Sequence, residues 1–226
     1  MHPFSIRQHI VDRVVARRGR YHLHDRLPAR KTAFVVIDMQ PTFVAPGSPA
    51  EVPESRSIVG NINRLAAGVR AKGGLVIWVT HANQKVGDGS DWSSFYDHFV
   101  AADVRARTID ANAPRAPRES LWHELQVEEG DVHVSKNRYS ALAHGSSGLE
   151  RVLRSAGITT LLIAGTKTNI CCESTGRDAM MLDFFPVMVP DCLAALSDEE
   201  HRAALETFIQ NFGDVYESAE VIERLD

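Results

Sequence analysis

The 226-residue sequence fits one large domain, and its 44% hydrophobic and 24% charged residues are those of a folded chain with a sizeable core, which excludes disorder and collagen-like repeats. Lys plus Arg of 25 against Asp plus Glu of 29 gives a net charge of −4, so the basic excess of a nucleic-acid binder is missing. No stretch approaches the ~20 apolar residues that span a bilayer, and MHPFSIRQHIVDRVVARRGR is too polar for the core of a signal peptide, so a cytoplasmic protein with no membrane partner is expected. Of three cysteines two are neighbours, Cys171 and Cys172, which suits reduced thiols better than a disulfide framework.

In chain order, residues 4 to 17 carry Phe4, Ile10, Val11, Val14 and Val15 on one stripe at helical spacing, predicting an amphipathic N-terminal helix. A polar connector leads to TAFVVID, a continuous apolar run of strand length that ends in Asp38. A helix over 55 to 71 turns Ile58, Ile62, Leu65 and Val69 inward, Gly73 and Gly74 stop it, and LVIWVTH comes next as a buried strand. From 82 to 129 the periodicity breaks into a long polar segment with two aromatic clusters, DWSSFYDHF and LWHEL, and a loop with Pro114 and Pro117. Alternation resumes with DVHVSK as a strand, SSGLERVLRSAG as a helix ended by Gly157, TTLLIAG as a strand, CCESTGRDAMMLDF as a helix, FPVMVPD as a strand and 198 to 211 as a helix. About six short strands interleaved with helices predict an α/β fold, an open, mainly parallel sheet with helices on both faces. The division expected is an N-terminal helical extension over 1–30 and one domain over 31–226.

Ligands of such sheets bind beyond the carboxyl ends of the strands, so the residues that end or succeed strands are the first candidates. Asp38, Lys136 and Cys171 stand there. Each has an ordinary alternative: Asp38 as a loop-stabilising carboxylate, Lys136 as a solvated charge, Cys171 as a small buried apolar residue. Together they make a mechanism, with a thiol to attack, a carboxylate to take its proton and an ammonium to hold the carboxylate charged. Cys171 is expected in the first turn of a helix, where unpaired N–H groups and the helix dipole draw a thiol toward thiolate. Cys172 points about 100° away, into packing. Arg177 and Asp178 are expected to anchor that helix by ion pairing, and Glu173 either to touch substrate or to complement the helix terminus. His22 and His24 alternate as strand ligands do but have no second cluster, and surface positions are expected. DWSSFYDHF fits a lid or an ordinary helix capped by Asp91.

The runs VVIDMQPTF, SKNRYSAL and AGTKTNICCESTGRDAMMLDF resemble the three signature segments of the isochorismatase-like cysteine hydrolases, in that family's order and spacing, over roughly residues 31 to 215. The resemblance implies a six-stranded parallel sheet in a Rossmann-like three-layer sandwich and a triad of Asp38, Lys136 and Cys171. It implies a cis peptide before Lys167, with the backbone amides of Lys167 and Cys171 forming an oxyanion hole, and a substrate pocket lined by Phe43 and Tyr139. Asn83, Trp92 and Phe95 are added from the variable segment. The wording KNRYS and TNICCEST is most similar to the ureidoacrylate and carbamoylsarcosine amidohydrolases. That likeness implies a cysteine amidohydrolase that cleaves a C–N bond of a small amide or ureido compound through a thioester-type intermediate and releases ammonia. Related nicotinamidases carry an Asp, His, His metal site after the second strand; VTHANQKVGDG offers only His81 there, so neither metal nor cofactor is expected. The N-terminal helix and the family's habits imply a homo-oligomer, a dimer or a tetramer. The alternatives are a vinyl-ether hydrolase of the isochorismatase type, and a non-catalytic thiol redox sensor or binding protein that uses Cys171 and Cys172 as an oxidisable pair.

Overall fold

The computed structural model describes residues 1–113 and 120–226; the loop with Pro114 and Pro117 lies outside the described residues. Helix α1 (Gln8–Arg18) precedes strand β1 (Thr32–Ile37), the single turn α2 (Pro41–Val44), α3 (Val59–Ala71) and β2 (Leu75–His81). A two-residue hairpin, β3 (Lys85–Val86) and β4 (Gly89–Ser90), leads to the turn α4 (Ser93–Tyr96) and to α5 (Ala102–Ala111). The chain then forms β5 (Val132–Lys136), α6 (Leu149–Ser155), β6 (Thr160–Thr166), α7 (Glu173–Met181), β7 (Phe185–Ala194), α8 (Asp198–Asn211), β8 (Asp214–Val215) and α9 (Ser218–Arg224).

Six strands form one sheet in the order β5-β2-β1-β6-β7-β8, and every neighbouring pair is parallel. The chain builds outward from β1 to β2 and β5, then returns to the other side of β1 for β6, β7 and β8. Strand order therefore reverses between β1 and β6, and the crevice at their carboxyl ends is where an open α/β sheet takes its ligand.

Alternation along each strand sets the layers. In β1, Phe34 and Val36 face a core shared with Ile62, Leu65 and Val69 of α3 and Val221 of α9. Ala33, Val35 and Ile37 face the opposite core, shared with Ile10 and Val14 of α1, Leu149 and Leu153 of α6, and Leu205, Phe208 and Ile209 of α8. A strand buried on both faces explains the unbroken apolar run TAFVVI. Helix α1 lies on α8, tied by Arg7, whose Nη2 donates to Glu206 Oε2 at 2.5 Å. Its stripe is narrower than expected, because Val15 is exposed.

The sheet closes tightest where β6 passes β1. Gly165 takes φ +106, and a Cβ there would stand 2.0 Å from the Ile37 carbonyl oxygen. Both the backbone conformation and the space demand glycine. Gly165→Ala is expected to lower stability by about 3 kcal/mol, the upper range for overpacking, as read from urea denaturation midpoints; an unchanged midpoint would refute the close approach.

Several features depart from the sequence expectations. Helix α5 lies inside the stretch read as irregular; only Ile109 of its residues is buried, so it carries no apolar stripe. Strand β8 and helix α9 lie beyond the last predicted helix, and β7 runs to Ala194, past Asp191. His22 is half-buried rather than on the surface, with Nδ1 3.1 Å from Asp214 Oδ1 and its ring stacked on Tyr216. His24 is also half-buried, edge-on to Phe185. Among the described residues no helix is long and apolar enough to cross a membrane.

Candidate active site

Asp38 directly succeeds the last residue of β1 and has φ +56, a left-handed conformation that aspartate tolerates better than most residues. Its N–H donates to the Val79 carbonyl of β2. Lys136 ends β5, in register with His81 at the end of β2. Its side chain must therefore cross the end of β2 to reach β1, a length only Lys or Arg supplies. Cys171 lies in a π-helical turn (Thr168–Cys172) between β6 and α7, a local form that recurs at functional sites. The Thr166–Lys167 peptide that enters this turn is cis.

These strand ends bring the three side chains together. Lys136 Nζ is 2.8 Å from Asp38 Oδ2 and 3.6 Å from Cys171 Sγ. It also lies 3.0 Å from His81 Nδ1 and 3.1 Å from the Arg138 carbonyl oxygen. An ammonium has three protons. Asp38, His81 and Arg138 take them, and the sulfur sits as a fourth, longer neighbour. Asp38 Oδ1 is buried with no hydrogen-bond partner among the described residues, and the Cys171 thiol lies beside that carboxylate.

Burial governs the protonation states. Asp38 is fully buried and Lys136 nearly so, while Cys171 keeps 6% of its surface. Loss of water pushes the Cys171 thiol up to about 12, and the negative charge of Asp38 adds to the rise. The thiolate expected from a helix terminus is thus replaced by a resting thiol, because desolvation and a neighbouring carboxylate outweigh the dipole. Burial likewise raises Asp38 above its ordinary 3.8, opposed by Lys136. Burial alone would lower Lys136, but Asp38 and Cys171 reverse this and hold it above 10.5. His81 is pushed well below 6.5 by burial and by the Lys136 charge, so its ring is neutral.

Beside the sulfur opens a cavity of about 130 Å³. Phe43, Trp92, Phe95, Tyr139, Lys167 and Cys171 line it, together with His81, Tyr96, Asn112 and Ile170. Trp92 stacks on Phe95 with ring centroids 4.9 Å apart and meets Tyr139 edge-on at 4.7 Å. Such a wall accepts a small, flat, largely apolar group. Asn83 is not among the lining residues: the side chain is fully buried, with its nitrogen bonded to Asp91 at 2.8 Å and its oxygen accepting from Tyr96 at 3.1 Å. Tyr96 and Asn112 escaped the sequence reading; His81 was weighed there only as a metal ligand, although it ends a strand and falls under the rule that found Asp38 and Lys136.

Around the turn that holds Cys171, the side chains bond to one another and to the main chain. Arg177 pairs with Glu173 at 2.6 Å, an ion pair one turn apart on α7, and lies over the Phe212 ring. The Cys172 thiol is buried and donates to the Ala164 carbonyl oxygen at 3.6 Å. A second cavity of about 370 Å³ lies at the amino ends of β7 and β8, but its Arg17 and Arg18 are bound to backbone carbonyls and it holds none of the three central groups. Among the described residues no set of three or more His, Cys, Asp or Glu side chains is gathered to hold a metal ion.

Residues 32–220 match the family described as the isochorismatase domain. The chain belongs to that family. Its similarity to a probable inactive nicotinamidase of Arabidopsis thaliana is 34% identity over 175 residues, covering 77% of this chain and 86% of the relative. To the ureidoacrylate amidohydrolase RutB of Klebsiella pneumoniae it is 29% over 201 residues, covering 82% and 84%. The crystal structure of a cysteine hydrolase from Pseudomonas syringae pv. phaseolicola superimposes with a TM-score of 0.74 at 29% identity, covering 88% of this chain and 94% of that one. The three-layer α/β fold and membership of a hydrolase family with amidohydrolase relatives are therefore established for this isochorismatase-like chain.

Proposed function

We propose that this protein is a cysteine amidohydrolase that cleaves the C–N bond of a small amide, carbamoyl or ureido compound and releases ammonia. The observation that carries the reading is the contact of one ammonium, Lys136, with both a carboxylate and a thiol at the edge of an aromatic cavity. In the reaction, Asp38 Oδ1 takes the thiol proton as Cys171 Sγ bonds to the substrate carbon. The carbonyl oxygen becomes an oxyanion, held by the backbone amides of Lys167 and Cys171. The C–N bond then breaks, Asp38 gives its proton to the leaving nitrogen, and a thioester or thiocarbamoyl enzyme remains. Water, deprotonated by Asp38, attacks that carbon; the C–S bond breaks and the proton returns to sulfur. Phe43, Trp92, Phe95 and Tyr139 hold the substrate. The relative named as a ureidoacrylate amidohydrolase supports a ureido or amide substrate.

The test is ammonia release from a panel of ureido and carboxamide compounds. Release from at least one, with a carbonyl product, is expected; a panel with no turnover, or hydrolysis only of vinyl ethers, would overturn the reading. The pH profile is a second check. Asp38 must be ionised to take a proton, and burial raises its pKa. The rate is therefore expected to fall, as pH is lowered, with an apparent pKa above the 3.8 of an ordinary aspartate. An acid limb at or below that value would show a base exposed to water.

A further inference from the structure

Behind the catalytic lysine runs a chain of hydrogen bonds whose direction is fixed at every link. Asn83 Nδ2 is 2.8 Å from Asp91 Oδ1, and a carboxylate only accepts, so the nitrogen of this amide must face Asp91. Asn83 Oδ1 therefore faces the other way and receives both the Tyr96 hydroxyl, at 3.1 Å, and His81 Nε2. An amide oxygen cannot donate, so Nε2 carries the proton of the His81 ring. Nδ1 is then a bare lone pair, aimed at Lys136 Nζ, which has only protons to offer. The main chain of His81 is clamped as well: its N–H donates to Gln40 Oε1 at 2.6 Å, and its carbonyl accepts from Gln40 Nε2 at 3.1 Å. No member of this chain reacts with substrate in the proposed hydrolysis.

We propose that His81, held in one tautomer by Asn83 and Asp91, is a positioning residue that fixes the direction of the Lys136 ammonium toward Asp38 and Cys171. Without a lone pair at that point one ammonium proton loses its acceptor. The head group is then free to turn, and the carboxylate and the sulfur lose a fixed counter-charge. A protonated ring would be worse, since it would set an N–H against the ammonium. The consequence for rate rests on the amidohydrolase reading; the tautomer does not, and it is measured without any substrate.

Long-range ¹⁵N–¹H NMR of the labelled protein at pH 7 is expected to show His81 protonated at Nε2 and bare at Nδ1. An Nδ1–H tautomer or an imidazolium would overturn the proposal. Iodoacetamide, a thiol-alkylating reagent whose adduct on the Cys171 peptide is read by mass spectrometry, supplies the second measurement. His81→Phe is expected to slow carbamidomethylation of Cys171 about tenfold, a part of what a well-placed acid–base group contributes. His81→Gln, whose carboxamide offers an acceptor and a donor, is expected to stay within about threefold of the unaltered protein. Unchanged alkylation in folded His81→Phe, or equal slowing in both variants, contradicts a positioning role. If His81→Phe does not fold, the tautomer of the unaltered protein decides. Failure of every amide to release ammonia would sink the proposed function while leaving the tautomer result intact.

Discussion

Cys171→Ala is expected to lower ammonia release by about 10⁵-fold, the scale on which loss of a covalent nucleophile acts in hydrolases. The fold should survive. Cys171 keeps 6% of its surface and its sulfur faces a cavity, so removing one atom opens space that is already there. A denaturation midpoint within about 1 kcal/mol of the unaltered protein is expected. Cys172→Ala supplies the contrast. That sulfur is sealed in the core beneath Ala164, and its loss should cost stability and leave turnover within a few-fold. A redox pair would make both changes equivalent for function. Turnover that survives Cys171→Ala would refute covalent attack by this residue.

Lys136→Met is expected to remove activity and to destabilise the protein by about 3–5 kcal/mol near neutral pH, since breaking a buried ion pair strands its partner. The partner is Asp38, fully buried and 2.8 Å from the ammonium. Methionine keeps the length of the stem but supplies no charge. Asp38 would then have a folded pKa raised further above its unfolded value. The native state of the variant binds that proton more readily than the unfolded state, so its stability falls as pH rises and recovers as pH is lowered. The deficit should shrink in acid and persist in alkali. Adding Asp38→Asn to Lys136→Met should restore most of the stability and none of the activity, because the stranded charge is gone. A variant that loses turnover without any loss of stability would show that the pair is solvated.

Strands β1, β2 and β6 were legible because burial on both faces forbids polar interruption, and TAFVVI, LVIWVTH and TLLIAGT contain almost none. Helix α8 was legible to its ends: Ser197 accepts from the Glu200 N–H, and Asp198, Glu199 and Glu200 fill the first turn. Helix α5 was not, since a helix that buries one residue has no periodic pattern to read. The site divides in the same way. Parallel topology places Asp38, Lys136 and Cys171 at one rim, and the sequence carries that topology. Protonation states are not written there, because they depend on water excluded by residues far away in the chain. The thiol is the clearest case: a helix terminus predicts a lowered pKa, and burial beside Asp38 raises it to about 12. Asn83 is similar: that its side chain bonds to Asp91 and Tyr96 follows from packing, not from its place in the sequence.

The most direct measurement is peptide mass spectrometry of the protein quenched in acid during turnover of an amide. The expected result is a mass gain equal to the acyl or carbamoyl group on the peptide that holds Cys171, absent from Cys171→Ala. The same group found on another residue, or ammonia formed at the full rate by Cys171→Ala, would contradict the role assigned to that sulfur.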